Sequence, residues 1–261
     1  MNSEKTELYP QASPGGGKTT LAGQKAKRAL WTELISGVTG LLLSGFIFGH
    51  LILESMSVFG HGTYETVANF MEDTLPLAQI TAVVIPLLFF VHFIYAGRKI
   101  PGKLYERKRM LELGRSIKKS KTRWNQKPGE YTTLRRHFET SLWIWQVRTG
   151  MLVLALGAFH LVLVIWNIFS DMGLDNSAGI SAGISGPRVE SGLWLLYLFL
   201  GVAIVVHMSI GLYRLAVKWL ADTWFNRKWA FVVFSIVFWV YLILNFLGVA
   251  GLYRMMKGGL L

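Results

Sequence analysis

Cysteine is absent from the 261 residues, which excludes disulfides, thiolate zinc sites, iron–sulfur clusters and covalently attached haem c together. A redox metal in this chain must be held by nitrogen, oxygen or thioether sulfur. Charge is scarce as well, at 16% against roughly 25% in an average soluble domain. With 52% hydrophobic residues and a mean hydropathy of +0.40, the composition is that of a membrane protein. Acids are the rarer sign, 15 Asp and Glu against 27 Lys and Arg, a formal net charge of +12. The first 20 residues lack the apolar core of a cleavable signal peptide and are rich in Gly, Pro and Ser. Residues 12–19 satisfy a relaxed phosphate-loop pattern, but no apolar strand precedes them and no helix signal follows, so no nucleotide site is expected.

Five apolar stretches, near 31–54, 77–97, 141–169, 191–217 and 229–252, reach the roughly 20 residues that a helix needs to cross a bilayer. They are continuous instead of alternating, which predicts an all-α membrane protein of five transmembrane helices and not a barrel. Pro86 lies inside the second stretch and should kink it. Residues 1–30 read as a flexible tail, 31–252 as one transmembrane domain and 253–261 as a second tail. Residues 1–30 carry five Lys and Arg, the 98–136 loop fourteen and the 214–228 loop four, whereas the opposite side carries Arg188, Arg254 and Lys257. This asymmetry places the N-terminus in the cytoplasm and the C-terminus outside, and it explains the basic excess without nucleic acid. Within the basic loop, Tyr105 to Leu113 mixes charged and apolar residues in the manner of a short cytoplasmic surface helix, with Trp124 as an interfacial anchor. Such a helix could also be a docking face for a cytoplasmic partner.

Four of the six histidines fall within spans: His50, His92, His160 and His207. A single intramembrane histidine can simply bond a neighbouring helix, but four on four helices invite a count of depth. His50 lies 19 residues beyond Trp31 and His160 lies 17 beyond Trp143 on ascending helices, so both sit near the outer side. His92 lies 6 residues before Arg98 and His207 lies 11 before Lys218 on descending helices, so both sit near the inner side. Two layers of two imidazoles suit two six-coordinate haems b, each clamped between facing helices. Gly45, Gly49, Gly150, Gly157, Gly201 and Gly211 lie on the ligand-bearing helices and add weak support, since small residues let a flat ring approach the backbone. Propionates need cations or donors near a membrane face, and Ser36, Trp143, Gln146, Arg148, Arg214 and Lys218 are available on the inner side. Interface anchoring and snorkelling would equally explain Trp143 and Lys218.

These residues also carry a family resemblance. Gly49-His50, His92 followed by Ala96-Gly97-Arg98-Lys99, Leu142 to Gln146 leading into Thr149-Gly150 and His160, and above all His207 followed by Gly211 to Trp219 resemble the single-subunit, two-haem cytochrome b of succinate:quinone oxidoreductases, especially quinol:fumarate reductases. The resemblance spans all five apolar stretches. It implies that His92 and His207 hold the haem proximal to the soluble subunits, that His50 and His160 hold the distal one, and that Trp143, Lys218 and Ser36 meet a proximal propionate. It further implies a bacterial inner membrane, a flavoprotein and an iron–sulfur subunit as partners, a quinone such as menaquinone as substrate, and an arrangement open to pairing as a dimer of heterotrimers. The essential quinol-site carboxylate of the family falls on Glu72 when counted from His50, and on Glu65 when counted back from His92. One departure stands out: where the best-known branch has a transmembrane proton-route glutamate two residues before the last ligand, this chain has Val205. A substitute route could run through Glu33, Glu54 or water. The competing readings are a cytochrome b anchor of a hydrogenase, formate dehydrogenase or nitrate reductase, and a haem-free transporter or anchor with structural histidines.

Overall fold

The computed structural model describes residues 21–70, 77–123, 138–171, 192–220 and 227–256. Among them the elements run α1 (Leu21–Ser55), a 3-10 turn (Met56–Phe59), α2 (His61–Asn69), α3 (Leu77–Gly97), α4 (Ile100–Arg123), α5 (Phe138–Asp171), α6 (Trp194–Leu220) and α7 (Arg227–Met256). Five helical stretches among the described residues are long and apolar enough to cross a membrane. The N-terminal 20 residues with their phosphate-loop-like run, Glu72, Trp124, Arg188 and Lys257 lie outside the described residues.

Apolar side chains cover the outside of the helices: Val83, Leu87 and Val162 are all more than 60% exposed. Buried positions are instead rich in small and polar residues, among them Ser36, Thr39, Ser44, Thr149, Ser209 and Asn245. That inversion is expected where lipid replaces water, since helices then associate through close packing and interhelical hydrogen bonds. α6 packs along both α5 and α7, and α1 packs along both α3 and α7, whereas α3 and α5 scarcely touch. The result is a four-helix box of α1, α3, α5 and α6, with α7 braced against its α1 and α6 sides. Fully buried Val205 anchors that brace with Met208 and Tyr241, against Ile47 and Leu51 of α1 and Val237 and Phe238 of α7. The Tyr241 hydroxyl donates across the seam to the Ser44 carbonyl at 3.4 Å.

Helix boundaries differ from the sequence expectation at three places, one being the last helix, which runs on to Met256 into the stretch read as a tail from residue 253. The tail expected to reach residue 30 is helical from Leu21, because nothing between Leu21 and Trp31 is stronger as a breaker than Gly23 and the exposed Lys25, Lys27 and Arg28 extend freely into solvent. The surface helix expected over 105–113 is part of a 24-residue α4. Backbone bonds from Arg98 to Ile94 and from Lys99 to Ala96, each 3.2 Å, carry the chain from α3 into α4 with only a tightened turn. Pro86 sits inside an uninterrupted α3, where its missing N–H leaves the Ala82 carbonyl without its helical donor. At the far end of α1, Gly60 adopts φ +102°, a left-handed conformation suited to glycine, and turns α2 back so that Tyr64 reaches Glu54.

Candidate functional site

The box encloses a cleft of about 870 Å³ that all four spanning histidines line, together with Ser36, Trp143 and Lys218. His92 of α3 and His207 of α6 face each other with ring centres 6.3 Å apart and planes at 88°. Two opposed imidazoles bound at roughly 2 Å to one metal have ring centres about 6 Å apart, so this pair already has the separation of an axial ligand pair. Each ring is held by its other nitrogen. His207 Nδ1–H donates to the Gln146 carbonyl at 2.8 Å, and His92 Nδ1 lies 3.2 Å from Thr39 Oγ1. The Thr39 hydroxyl donates its own proton to Ile35 at 2.7 Å, so it accepts from His92. Both Nε2 atoms are thereby left with the lone pair that a metal needs.

Two glycines seat these rings. A Cβ on Gly40 of α1 would come within 2.9 Å of His92 Cε1, and a Cβ on Gly150 of α5 within 2.8 Å of His207 Cε1. The same glycines give the ruler for the second layer. His50 and His160 each follow one of them by ten residues, on α1 and α5, so each stands about 15 Å further along its helix. His50 stacks on Phe46 at 5.5 Å and His160 meets the Tyr197 ring edge-on at 5.5 Å. A Cβ at Gly45 or Gly49 would meet nothing within 4 Å, although both line the cleft, so the wall of α1 between the layers is open to a planar ligand. Among the described residues, no three or more His, Asp or Glu side chains gather as ligands for a bare ion. Paired imidazoles on an apolar, flat-walled cleft fit a haem.

One end of the cleft is cationic. Lys218 is ion-paired with Glu33, Lys99 donates to Ser36, and Arg214 donates to the Gln146 side-chain oxygen at 2.7 Å. Lys99, Lys103 and Arg214 line the cleft beside Trp143. Arg148, which sequence made available to this end, instead lies over the exposed Trp145 ring at 5.9 Å, outside the cleft lining. Sequence alone does not single out Thr39 or Gly40, and it offers Lys99 only within the Ala96-Gly97-Arg98-Lys99 run that follows His92, with no role attached. Among the sequence-predicted acids, Glu65 is on α2 and outside the cleft lining, while Glu54 lines it. Val205 turns into the α1/α6/α7 seam and away from the cleft.

A family model described as the succinate dehydrogenase/fumarate reductase transmembrane subunit matches residues 125–244. Two Helicobacter pylori proteins, each a "fumarate reductase cytochrome b subunit", are 31% identical over 221 residues, 78% of this chain and 75% of theirs. A Wolinella succinogenes protein of the same name is 28% identical over 234 residues, 87% of this chain and 77% of its own. Coverage of that extent, on a five-span frame with paired intramembrane histidines, places the chain in the family of cytochrome b membrane subunits of succinate dehydrogenase and fumarate reductase.

Proposed function

We propose that the chain is the membrane anchor of a quinol:fumarate reductase or succinate dehydrogenase complex and passes electrons between membrane quinone and an iron–sulfur subunit through two haems b. His92 and His207 hold the proximal haem and His50 and His160 the distal one, and when bound these haems supply one-electron transfer along the bundle. Ser36, Trp143 and Lys218 meet a proximal propionate, where the cationic end of the cleft favours an anion. Glu72, or alternatively Glu65, accepts protons from quinol on the outer side. Menaquinone suits this role because fumarate reduction calls for a low-potential donor.

The flavoprotein and iron–sulfur partners dock on the cytoplasmic face, where α4 presents exposed Tyr105, Met110 and Leu111 between basic residues. Dicarboxylate chemistry occurs in those partners, and two heterotrimers can pair. The N-terminus lies in the cytoplasm of a bacterium and the C-terminus outside its inner membrane, as the distribution of Lys and Arg supports.

The observation that carries this reading is the two-layer set of histidines in one cleft, with the Nδ1 atoms of its inner pair already engaged. A reduced-minus-oxidised spectrum of the purified subunit, with haem counted per polypeptide, tests it. Two haems b per chain are expected. Protein made with adequate haem supply and lacking a haem spectrum would overturn the reading in favour of a haem-free anchor.

A further inference from the structure

Helix α7 lies behind α1 and α6, yet Asn245, Gly248, Val249 and Leu252 on it reach the cleft. Asn245 is the one of these with a polar side chain. It is 4% exposed, and its Nδ2 has no hydrogen-bond partner among the described residues. Gly201 of α6 sets its place, because a Cβ there would overlap the Asn245 amide. Along α6, Gly201 lies six residues outward of His207, roughly 9 Å. It lies four residues, roughly 6 Å, inward of Tyr197, whose ring meets His160. The amide therefore stands between the two histidine layers and nearer the outer one.

A buried amide donor without an acceptor is costly, so a group held in the cleft at this depth should accept from it. A haem b accepts hydrogen bonds through its propionate carboxylates, and a carboxylate in an apolar cleft needs a cation or donors. Every Lys and Arg that lines the cleft, Lys99, Lys103, Arg214 and Lys218, stands inward of the His92 and His207 layer. Nearer the outer layer, Ser44 already donates to the Gly40 carbonyl at 2.8 Å and Tyr64 to Glu54 at 3.3 Å. Glu54 itself, one turn outward of His50, repels an anion on that side. The unmet donor and the unmet acceptor are complementary. We infer that Asn245 donates its Nδ2–H to a propionate of the haem held by His50 and His160, on the side that faces the inner layer. The inference rests on the proposed electron-transfer reading and adds to it a residue from the helix outside the four-helix box. The positive end of the amide dipole offsets negative charge near the iron, which favours the reduced outer haem and raises its potential. That haem then takes an electron from the outer side more readily. Gly201 acts through Asn245, by leaving it room.

The test uses the purified complex as wild type, Asn245→Leu, Gly201→Ala and the double variant. Asn245→Leu keeps the branched outline without the donor, and Gly201→Ala keeps the donor but takes its space. Resonance Raman spectra read the propionate bending bands, and a potentiometric titration with haem counted per polypeptide reads each potential. The outer haem is the component that His50→Ala removes. Each single variant is expected to shift the outer propionate band and to move that haem about three- to tenfold toward its oxidised form. At 59 mV per tenfold for one electron this is a fall of roughly 30–60 mV, with the inner haem moved less. The double variant should go no further than the larger single change, because both remove one contact. A cryo-EM map of the wild-type complex should place Asn245 Nδ2 within about 3.2 Å of a propionate oxygen. An outer-haem band and potential unmoved in both single variants would overturn the inference, as would two shifts that add in full or a map in which a water or an apolar haem edge faces the amide. If either variant fails to assemble, the wild-type map decides alone. Absence of haem from the wild-type complex is a different result, since it sinks the electron-transfer reading and this inference with it.

Discussion

Replacing Gly150 with alanine tests whether helix α5 seats the proximal haem ligand. The new methyl would lie 2.8 Å from His207 Cε1 and 3.0 Å from its Nδ1, about 0.6 Å inside the near edge of ordinary contact at 3.4 Å. Neither atom can swing away freely, because the ring is held by the 2.8 Å bond from Nδ1 to the Gln146 carbonyl. A shift that relieves the clash stretches this bond past about 3.3 Å and forfeits roughly 1 kcal/mol, while overpacking adds about 1–3 kcal/mol. Disturbing a group that orients a metal ligand typically weakens the metal about 10- to 100-fold, roughly 1.4–2.8 kcal/mol, which overlaps the lower part of that sum. In Gly150→Ala, reduced-minus-oxidised spectra should show about one haem per chain, with loss confined to the component that His207→Ala also removes. Gly62→Ala, at a position where a Cβ meets nothing within 4 Å and outside the cleft, should retain full occupancy. Two tightly held haems with unaltered potentials in Gly150→Ala would refute the seating argument and the assignment of His207 with it.

Three further outcomes are expected. His92→Ala and His50→Ala should each remove one spectroscopically different haem, and a variant that loses both or neither would contradict two separate layers. Lys99→Met should lower the proximal potential by on the order of 50 mV, more than Lys218→Met does, because Lys99 meets a neutral hydroxyl while Lys218 is already matched by Glu33; equal shifts in a redox titration would argue against that difference. Proteoliposomes reducing internal fumarate with quinol should build a transmembrane potential, since the position that the resemblance matches to a proton-route glutamate of the best-known branch is Val205, packed against Met208 and Tyr241; a potential-sensitive dye that stays silent during turnover would count against charge separation.

The five spans are legible in sequence because an uninterrupted apolar run has few alternatives in lipid, and the four histidines are legible because ionisable groups are so rare there. Helix counting also orders the residues along each span. Rotation is what it cannot supply. Arg148 and Gln146 are neighbours on one turn, yet the cleft receives Gln146 while Arg148 turns out over Trp145. Gly40 is invisible as a seat until His92 is brought against it from another helix. Glu54 reads as one more acid at the end of a span until the turn at Gly60 brings Tyr64 to it, and Asn245 as one more polar residue until α7 carries it to the cleft. Helix starts are similarly indistinct where polar residues of good helical propensity continue an apolar run, as over Leu21 to Leu30.

The near absence of contact between α3 and α5 bears on how the bundle is filled. Two sides of the box are closed by directly packed helices, α1 with α3 and α5 with α6, while α1 and α6 touch as little as α3 and α5 do and are bridged by α7, which carries no histidine. The α3/α5 side is the seam that no further helix braces among the described residues. That seam is the sideways opening of the cleft toward the bilayer, and a flat ligand held between α3 and α6 or between α1 and α5 would tie its two edges together.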